Sequence, residues 1–231
     1  MNDLISNVDD QMRASRAYQH PFLDQMCTKG MDRQTASRFA VQWFKAATAH
    51  KKSFPGLIYN SDNDDIRLGL INILDEEYGF GDPAEIHSRL LGSFLTALGI
   101  APEQAHRAAA TPGVTEFGRR VDEYWLGGAP KFAYGVHYAL EFLAANMHKA
   151  FFSGVSRLGL PDESVRYFRL HSTVEDEHAE KARAGLLLLA SEGADARRVL
   201  EDGIRCGTEL VGILLDGLED ACGNLSAEAV H

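Results

Sequence analysis

His171-Ser172-Thr173-Val174-Glu175-Asp176-Glu177-His178 is the stretch on which the reading of the fold turns. At about 100° per residue, offsets of four and seven bring His171, Glu175 and His178 into one narrow sector of a helix. Two imidazoles and a carboxylate converging from one helix make half of a metal site in a helical bundle. The ordinary alternative is a solvated Glu/His face paired with Lys181 and Arg183. Asp176 points about 100° away from Glu175, which is therefore preferred as the ligand.

Working outward, the pattern predicts helices throughout. The motif helix spans about 164–190, and a last helix runs from Ala194 to about Cys222. Before the motif lies a long Ala-, Phe- and Leu-rich helix from Pro130 to about Leu158, with Glu141 near its middle and Gly159 to Pro161 ending it. A helix over 114–126 stops at Gly127-Gly128, and a short one follows Pro102. Asp62-Asn63-Asp64 opens a helix that turns Ile66, Leu70, Ile73 and Leu74 inward, with Glu77 on the same stripe. Gly79 and Gly81 break it, and Asp82-Pro83-Ala84-Glu85 reads as a capping box for the next helix, with His87 in its first turns. Gln34 to Lys52 is a helix expected to stop at Ser53-Phe54-Pro55-Gly56. One or two weaker helices precede it, with Pro21 at a first helical position. Nothing reads as a strand, a solenoid repeat or a low-complexity segment. The expectation is one all-α domain over 1–231, a bundle of about seven to nine helices.

Composition narrows the function. A net charge of −10 with no basic cluster disfavours nucleic acid as a partner. The longest aliphatic run, Leu186 to Leu189, is too short for a bilayer, and Met1 to Ser6 lacks the features of a signal peptide, so a cytoplasmic address is expected. Cys27, Cys206 and Cys222 are far apart and form no C-x-x-C pair; they read as packing residues.

Glu77, His87 and Glu141 join the motif as ionisable groups that the pattern pushes inward. A buried carboxylate without a partner is costly, and a metal ion removes the cost. Each has an ordinary reading alone: a solvated acidic run for Glu77, a surface or core histidine for His87, a pairing with His137 or His148 for Glu141. Together, three carboxylates and three imidazoles suit two divalent iron or manganese ions.

On this joint spacing the chain resembles the haem-oxygenase-like dimetal oxidases, within the superfamily that also holds thiaminase-like and pyrroloquinoline-quinone-synthase-like helical proteins. The resemblance rests on Asp75-Glu76-Glu77-Tyr78-Gly79-Phe80-Gly81 with His87, on Glu141, and on His171-x-x-x-Glu175-x-x-His178. It covers about Pro21 to the end of the motif helix. It implies a haem-oxygenase-like helical bundle and the ligands Glu77, His87, Glu141, His171, Glu175 and His178, holding two Fe(II) ions, with Mn as the alternative metal and O2 as co-substrate. The family usually has aspartate where this chain has Glu175. Some N-oxygenating members add a carboxylate from an early helix, whereas Gln34 to Lys52 contains no Asp or Glu. Relatives that sacrifice a tyrosine carry one where this chain has Leu140, and thiaminase-like relatives use a cysteine where this chain has none.

The expected activity is that of a non-haem diiron oxidase or oxygenase of specialised metabolism, cleaving or desaturating a small amino-acid-like, amine or carboxylic-acid substrate. N-oxygenation at the same centre, a metal-free thiaminase-like hydrolase or cofactorless oxidase, and a non-enzymatic module are the alternatives. Trp43, Phe44, His50, Tyr134 and Tyr138 are expected to wall the pocket, with His50, Lys51 or Lys52 meeting a substrate carboxylate. The resemblance also implies a homodimer.

Overall fold

The computed structural model describes residues 2–223, the side chains of 2–6 and of Asp176 excepted. The expectation for Asp176 therefore lies outside the described side chains. Among the described residues ten α-helices form, in order α1 (Asn2–Ala14), α2 (Pro21–Thr28), α3 (Arg33–Asn60), α4 (Asp64–Glu77), α5 (His87–Ala97), α6 (Pro102–Arg107), α7 (Pro112–Gly127), α8 (Pro130–Val155), α9 (Arg166–Ala190) and α10 (Ala194–Cys222). No strand is present among the described residues. The count exceeds the expected range because the N-terminal segment makes two helices, the second opened by Pro21 with His20 as cap, its ring accepting from the Phe22 amide.

α8 is the axis of the bundle. It lies against α9 on one side and α10 on the other, while α3 and α7 close the remaining wall. Tyr138, Ala139, Val136 and Phe151 are wholly buried along it. Glycine permits the closest of these packings: a Cβ on Gly203 of α10 would strike the Phe132 carbonyl and lie 3.1 Å from the Gly135 Cα of α8. Two backbones thus meet without side chains between them, which presses α8 towards the centre of the molecule.

α3 does not stop at Ser53-Phe54-Pro55-Gly56. It runs through Pro55 to Asn60. A proline inside a helix removes one backbone hydrogen bond and costs about 3 kcal/mol or more, but tertiary contacts offset it here. Phe54 and Leu57 are 3 % and 2 % exposed, Phe54 packs edge-on against Trp125 at 5.5 Å, and the Asn60 amide donates to the Trp125 carbonyl at 2.8 Å. The proposed capping box at Asp82 is also only half made. The Asp82 carboxylate accepts from the Ala84 amide at 2.9 Å, yet Pro83–Glu85 is a 3-10 turn and α5 begins at His87. Glu85 turns away from the cap to pair with Arg166 at the head of α9. Among the described residues no helix is long and apolar enough to cross a membrane.

Candidate metal centre

Two elements that end and begin at the same place bring Glu77 and His87 together. Asn63 caps α4, accepting from the Asp65 and Ile66 amides at 2.9 and 3.1 Å. The helix then buries Ile66, Leu70 and Ile73, and Glu77 is its last residue. Gly79, Phe80 and Gly81 all take left-handed backbone angles, φ 69°, 51° and 83°, reversing the chain so that α5 starts with His87. His87 Nδ1 then lies 2.9 Å from Glu77 Oε1. From α9, His171 Nε2 approaches the same oxygen at 3.4 Å, while its Nδ1 donates to the Tyr167 carbonyl at 2.9 Å. That bond occupies Nδ1–H and leaves Nε2 facing the Glu77 carboxylate, to which it donates when the ring is protonated.

Glu141, Glu175 and His178 form a second triad. His178 Nδ1 is 3.6 Å from Glu141 Oε2 and 3.7 Å from Glu175 Oε2. In each triad one ligand atom per residue lies within 4.8 Å of the others. All six sequence-predicted ligands therefore converge, and α9 contributes to both triads. The bland alternative for the motif, a solvated face, does not describe it: His171, Glu175 and His178 are 3 %, 5 % and 2 % exposed.

Three neighbours were not singled out as ligands in the sequence. Glu76 Oε2 is 3.1 Å from His178 Nε2 and 3.7 Å from Lys181 Nζ. His137 Nδ1 lies 3.3 Å from Glu141 Oε1, and His148 Nδ1 lies 3.1 Å from Glu175 Oε1. Only the histidines carried a signal: they stand four before and seven after Glu141, near its face of α8. Glu76 was hidden in an acidic run.

The electrostatics are those of carboxylates and imidazoles sharing protons in a mostly buried cluster. Burial raises Glu141 to about 8, with the Glu175 charge adding to the effect. For His178 burial works downwards, but Glu175 and Glu76 outweigh it and carry the imidazole up to about 11. Burial likewise opposes the charged form of Glu77, and its contacts with His171 and His87 overcome this, holding it well below the usual carboxylate range. Glu175 is held low by His148 and His178 against the same burial. Burial drives His50 and His137 down to about 4 and about 3, so both are neutral.

The donor set fits divalent metal. Of the three carboxylates and three imidazoles all but the quarter-exposed Glu77 are buried. His178 Nε2 and both nitrogens of His137 and His148 are buried with no in-line hydrogen bond, carboxylate oxygens of Glu76, Glu141 and Glu175 lying at 3.1, 3.3 and 3.1 Å from them. Buried nitrogens at a convergent site that lack in-line partners are donors that a bound ion would satisfy.

Both triads border a cavity of about 90 Å³. Its wall includes Trp43, His50, Lys51, Phe54, Leu140, Met147 and Leu214. Trp43 and His50 were expected there, but Phe44, Tyr134 and Tyr138 are not among the residues lining it. Phe44 is rotated about 100° from Trp43 and packs on His106 at 4.7 Å. The Tyr134 hydroxyl donates to the Ala182 carbonyl at 3.1 Å, and that of Tyr138 is engaged by Asp9 of α1. Lys51 Nζ donates to the Glu77 carbonyl at 2.8 Å; Lys52 is exposed. Of the cysteines only Cys222 is buried, Cys27 being exposed, and none lines this cavity.

The model of a family described as iron-containing redox enzymes matches residues 37–211. The chain belongs to that family. The matched span holds both triads. Among solved structures, a TenA homologue from Pseudomonas syringae pv. tomato is 15 % identical with a TM-score of 0.76, covering 95 % of this chain and 92 % of that one. A CADD-like protein of unknown function from Nostoc punctiforme is 14 % identical with a TM-score of 0.76, covering 96 % and 98 %. A TenA homologue from Pyrococcus furiosus is 13 % identical with a TM-score of 0.71, covering 94 % and 98 %. At these identities the likeness concerns the fold, which is the haem-oxygenase-like helical bundle. A search of curated protein sequences gives no match.

Proposed function

We propose that the protein is an O2-dependent non-haem diiron oxidase or oxygenase acting on a small molecule with an apolar body and an anionic or amino-acid-like end. The observation that carries this is the pair of convergent triads, Glu77–His87–His171 and Glu141–Glu175–His178, of which all but His87 line one cavity. In this reading the six side chains hold two Fe(II) ions. Iron so held supplies the electrons for O2 reduction and the oxidising power for the substrate.

The chain's own residues do the rest. His171 is locked by the Tyr167 carbonyl, so it meets its ion without rearrangement. Trp43, Phe54, Leu140 and Leu214 exclude water and grip the apolar part of the substrate. Lys51, the lysine in the cavity wall, stands 4.0 Å from Glu77 Oε2 and can meet a substrate carboxylate beside the centre. His50 is neutral and half-buried, packed edge-on against Trp125 at 4.8 Å, which suits it to shaping the cavity more than to binding an anion. A metal-free thiaminase-like reaction lacks its nucleophile, since no cysteine borders the cavity. An N-oxygenase reading gains no support from α3, which brings no carboxylate to the centre.

The test is anaerobic loading of metal-free protein with Fe(II), followed by O2. About two iron ions per chain should survive desalting, and O2 uptake should rise with a carboxylate- or amine-bearing substrate. His171→Ala and Glu141→Ala should abolish that uptake. Wild-type protein that retains no iron and consumes no O2 would overturn the proposal.

A further inference from the structure

The two triads contain three histidines, yet a fourth imidazole stands between them. His148 lies on α8, its side chain 5 % exposed, with Nδ1 3.1 Å from Glu175 Oε1. Its ring centroid is 4.8 Å from that of His171. One ligand atom each of His148, His171 and Glu175 lies within 4.8 Å of the others, so His148 touches a member of either triad. Trp43 and Phe151 enclose the far side of the ring at 5.4 and 5.9 Å.

Neither nitrogen of His148 makes an in-line hydrogen bond. The Glu175 oxygen is near enough, but the approach lies off the N–H axis. A histidine whose task is to orient a carboxylate should donate to it in line, as His171 Nδ1 does to the Tyr167 carbonyl. A histidine that merely fills the core should find some partner for at least one nitrogen.

Resting on the reading of the site as a dimetal centre, the geometry points to His148 as a seventh metal ligand, working as a pair with Glu175. The glutamate itself supports this. An aspartate at 175 would withdraw the carboxylate by about 1.5 Å, one carbon–carbon bond, and break its approach to α8. The longer side chain and the extra imidazole are thus one device. A neutral seventh donor leaves the net charge of the site unchanged, takes a coordination position that would otherwise be open, and tilts the site towards iron over manganese, because imidazole suits iron better.

The test uses Co(II), whose visible d–d absorption reports its ligands. Metal-free wild type and His148→Ala are titrated anaerobically, with far-UV circular dichroism confirming the fold. Wild type should take up two Co(II) ions. The variant should bind at least one of them tenfold or more weakly, with a changed d–d spectrum, and millimolar imidazole should restore the wild-type bands. Affinity alone does not decide, because losing an orienting neighbour also costs about 10–100-fold; the spectrum and the rescue do. If His148→Ala fails to fold, His148→Gln takes its place, keeping an amide beside Glu175 while removing the imidazole donor. An unchanged spectrum per bound ion in the folded variant overturns the inference and leaves the dimetal reading standing. Wild type that binds no Co(II) overturns both.

Discussion

Metal uptake by this protein should be steeply dependent on pH, and the slope follows from the protons that the cluster holds without metal. His178 is carried up to about 11, so near neutral pH its imidazole is fully protonated. Glu141 is raised to about 8, and at one pH unit below that value about nine-tenths of it is protonated. Both protons occupy atoms that a metal needs, and both must leave on binding. Uptake should therefore release about two protons per chain. The sign is fixed: protons compete with metal, so affinity rises with pH. Two protons correspond to about a hundredfold tighter binding per pH unit near neutrality, or about 2.7 kcal/mol. The assay is a competition titration with a chelator of known pH dependence, at about pH 6.5 and about pH 7.5. A weakly buffered indicator counts released protons in parallel. An affinity that stays within about threefold across that unit, or release of fewer than about half a proton with both ions bound, would refute the reasoning.

Glu141→Gln should reduce tight metal uptake from two ions to about one, measured after desalting. Without metal its stability should also respond to pH differently. Glu141 ionises at an ordinary value when unfolded and at about 8 when folded, so wild type loses stability as pH rises between those two values; the variant should lose less in urea titrations over that span. Gly203→Ala forces a Cβ against the Phe132 carbonyl. Overpacking of about 1–3 kcal/mol against about 1 kcal/mol of improved helix propensity leaves a net loss of up to about 2 kcal/mol, visible as a fall of up to a few degrees in the melting midpoint; a higher midpoint would show that the crossing can relax. Phe80 is 72 % exposed and left-handed, φ 51°. Phe80→Gly should raise stability by about 0.5–1 kcal/mol in denaturant, and a loss would mean that the ring makes an undetected contribution.

What was legible in the sequence is what one helix dictates. The His171–Glu175–His178 sector follows from spacing alone, and the burial of Ile66, Leu70 and Ile73 carries Glu77 inward with them. Partition into two triads was not legible, because it depends on where α9 crosses α4, α5 and α8. Glu76 illustrates the limit: one residue from Glu77, it reaches the other end of the motif at His178, a contact set by the packing of α4 on α9. Pro55 failed in the opposite direction. Its local cost is plain in the sequence, whereas the contacts that outweigh it lie on α7, about seventy residues away. Phe44, Tyr134 and Tyr138 are aromatic and buried as expected, but burial does not say which side of a helix faces a cavity.

The pairing of α8 with α9 explains why the chemistry is spread as it is. Both helices carry ionisable residues seven apart, Glu141 and His148 on one, His171 and His178 on the other. At 1.5 Å per residue each pair spans about 10.5 Å of helix axis, so two antiparallel rulers of equal length lie side by side. The contacts follow: Glu141 meets His178, and His148 meets His171. Glu175 falls between these ends, and the α8 residue across from it is Ala144, which lines the cavity with only a methyl group. That small side chain leaves the space into which a glutamate can extend towards His148. Glu175, Ala144 and His148 are thus physically coupled choices, since a larger residue at 144 or a shorter acid at 175 would undo the same contact.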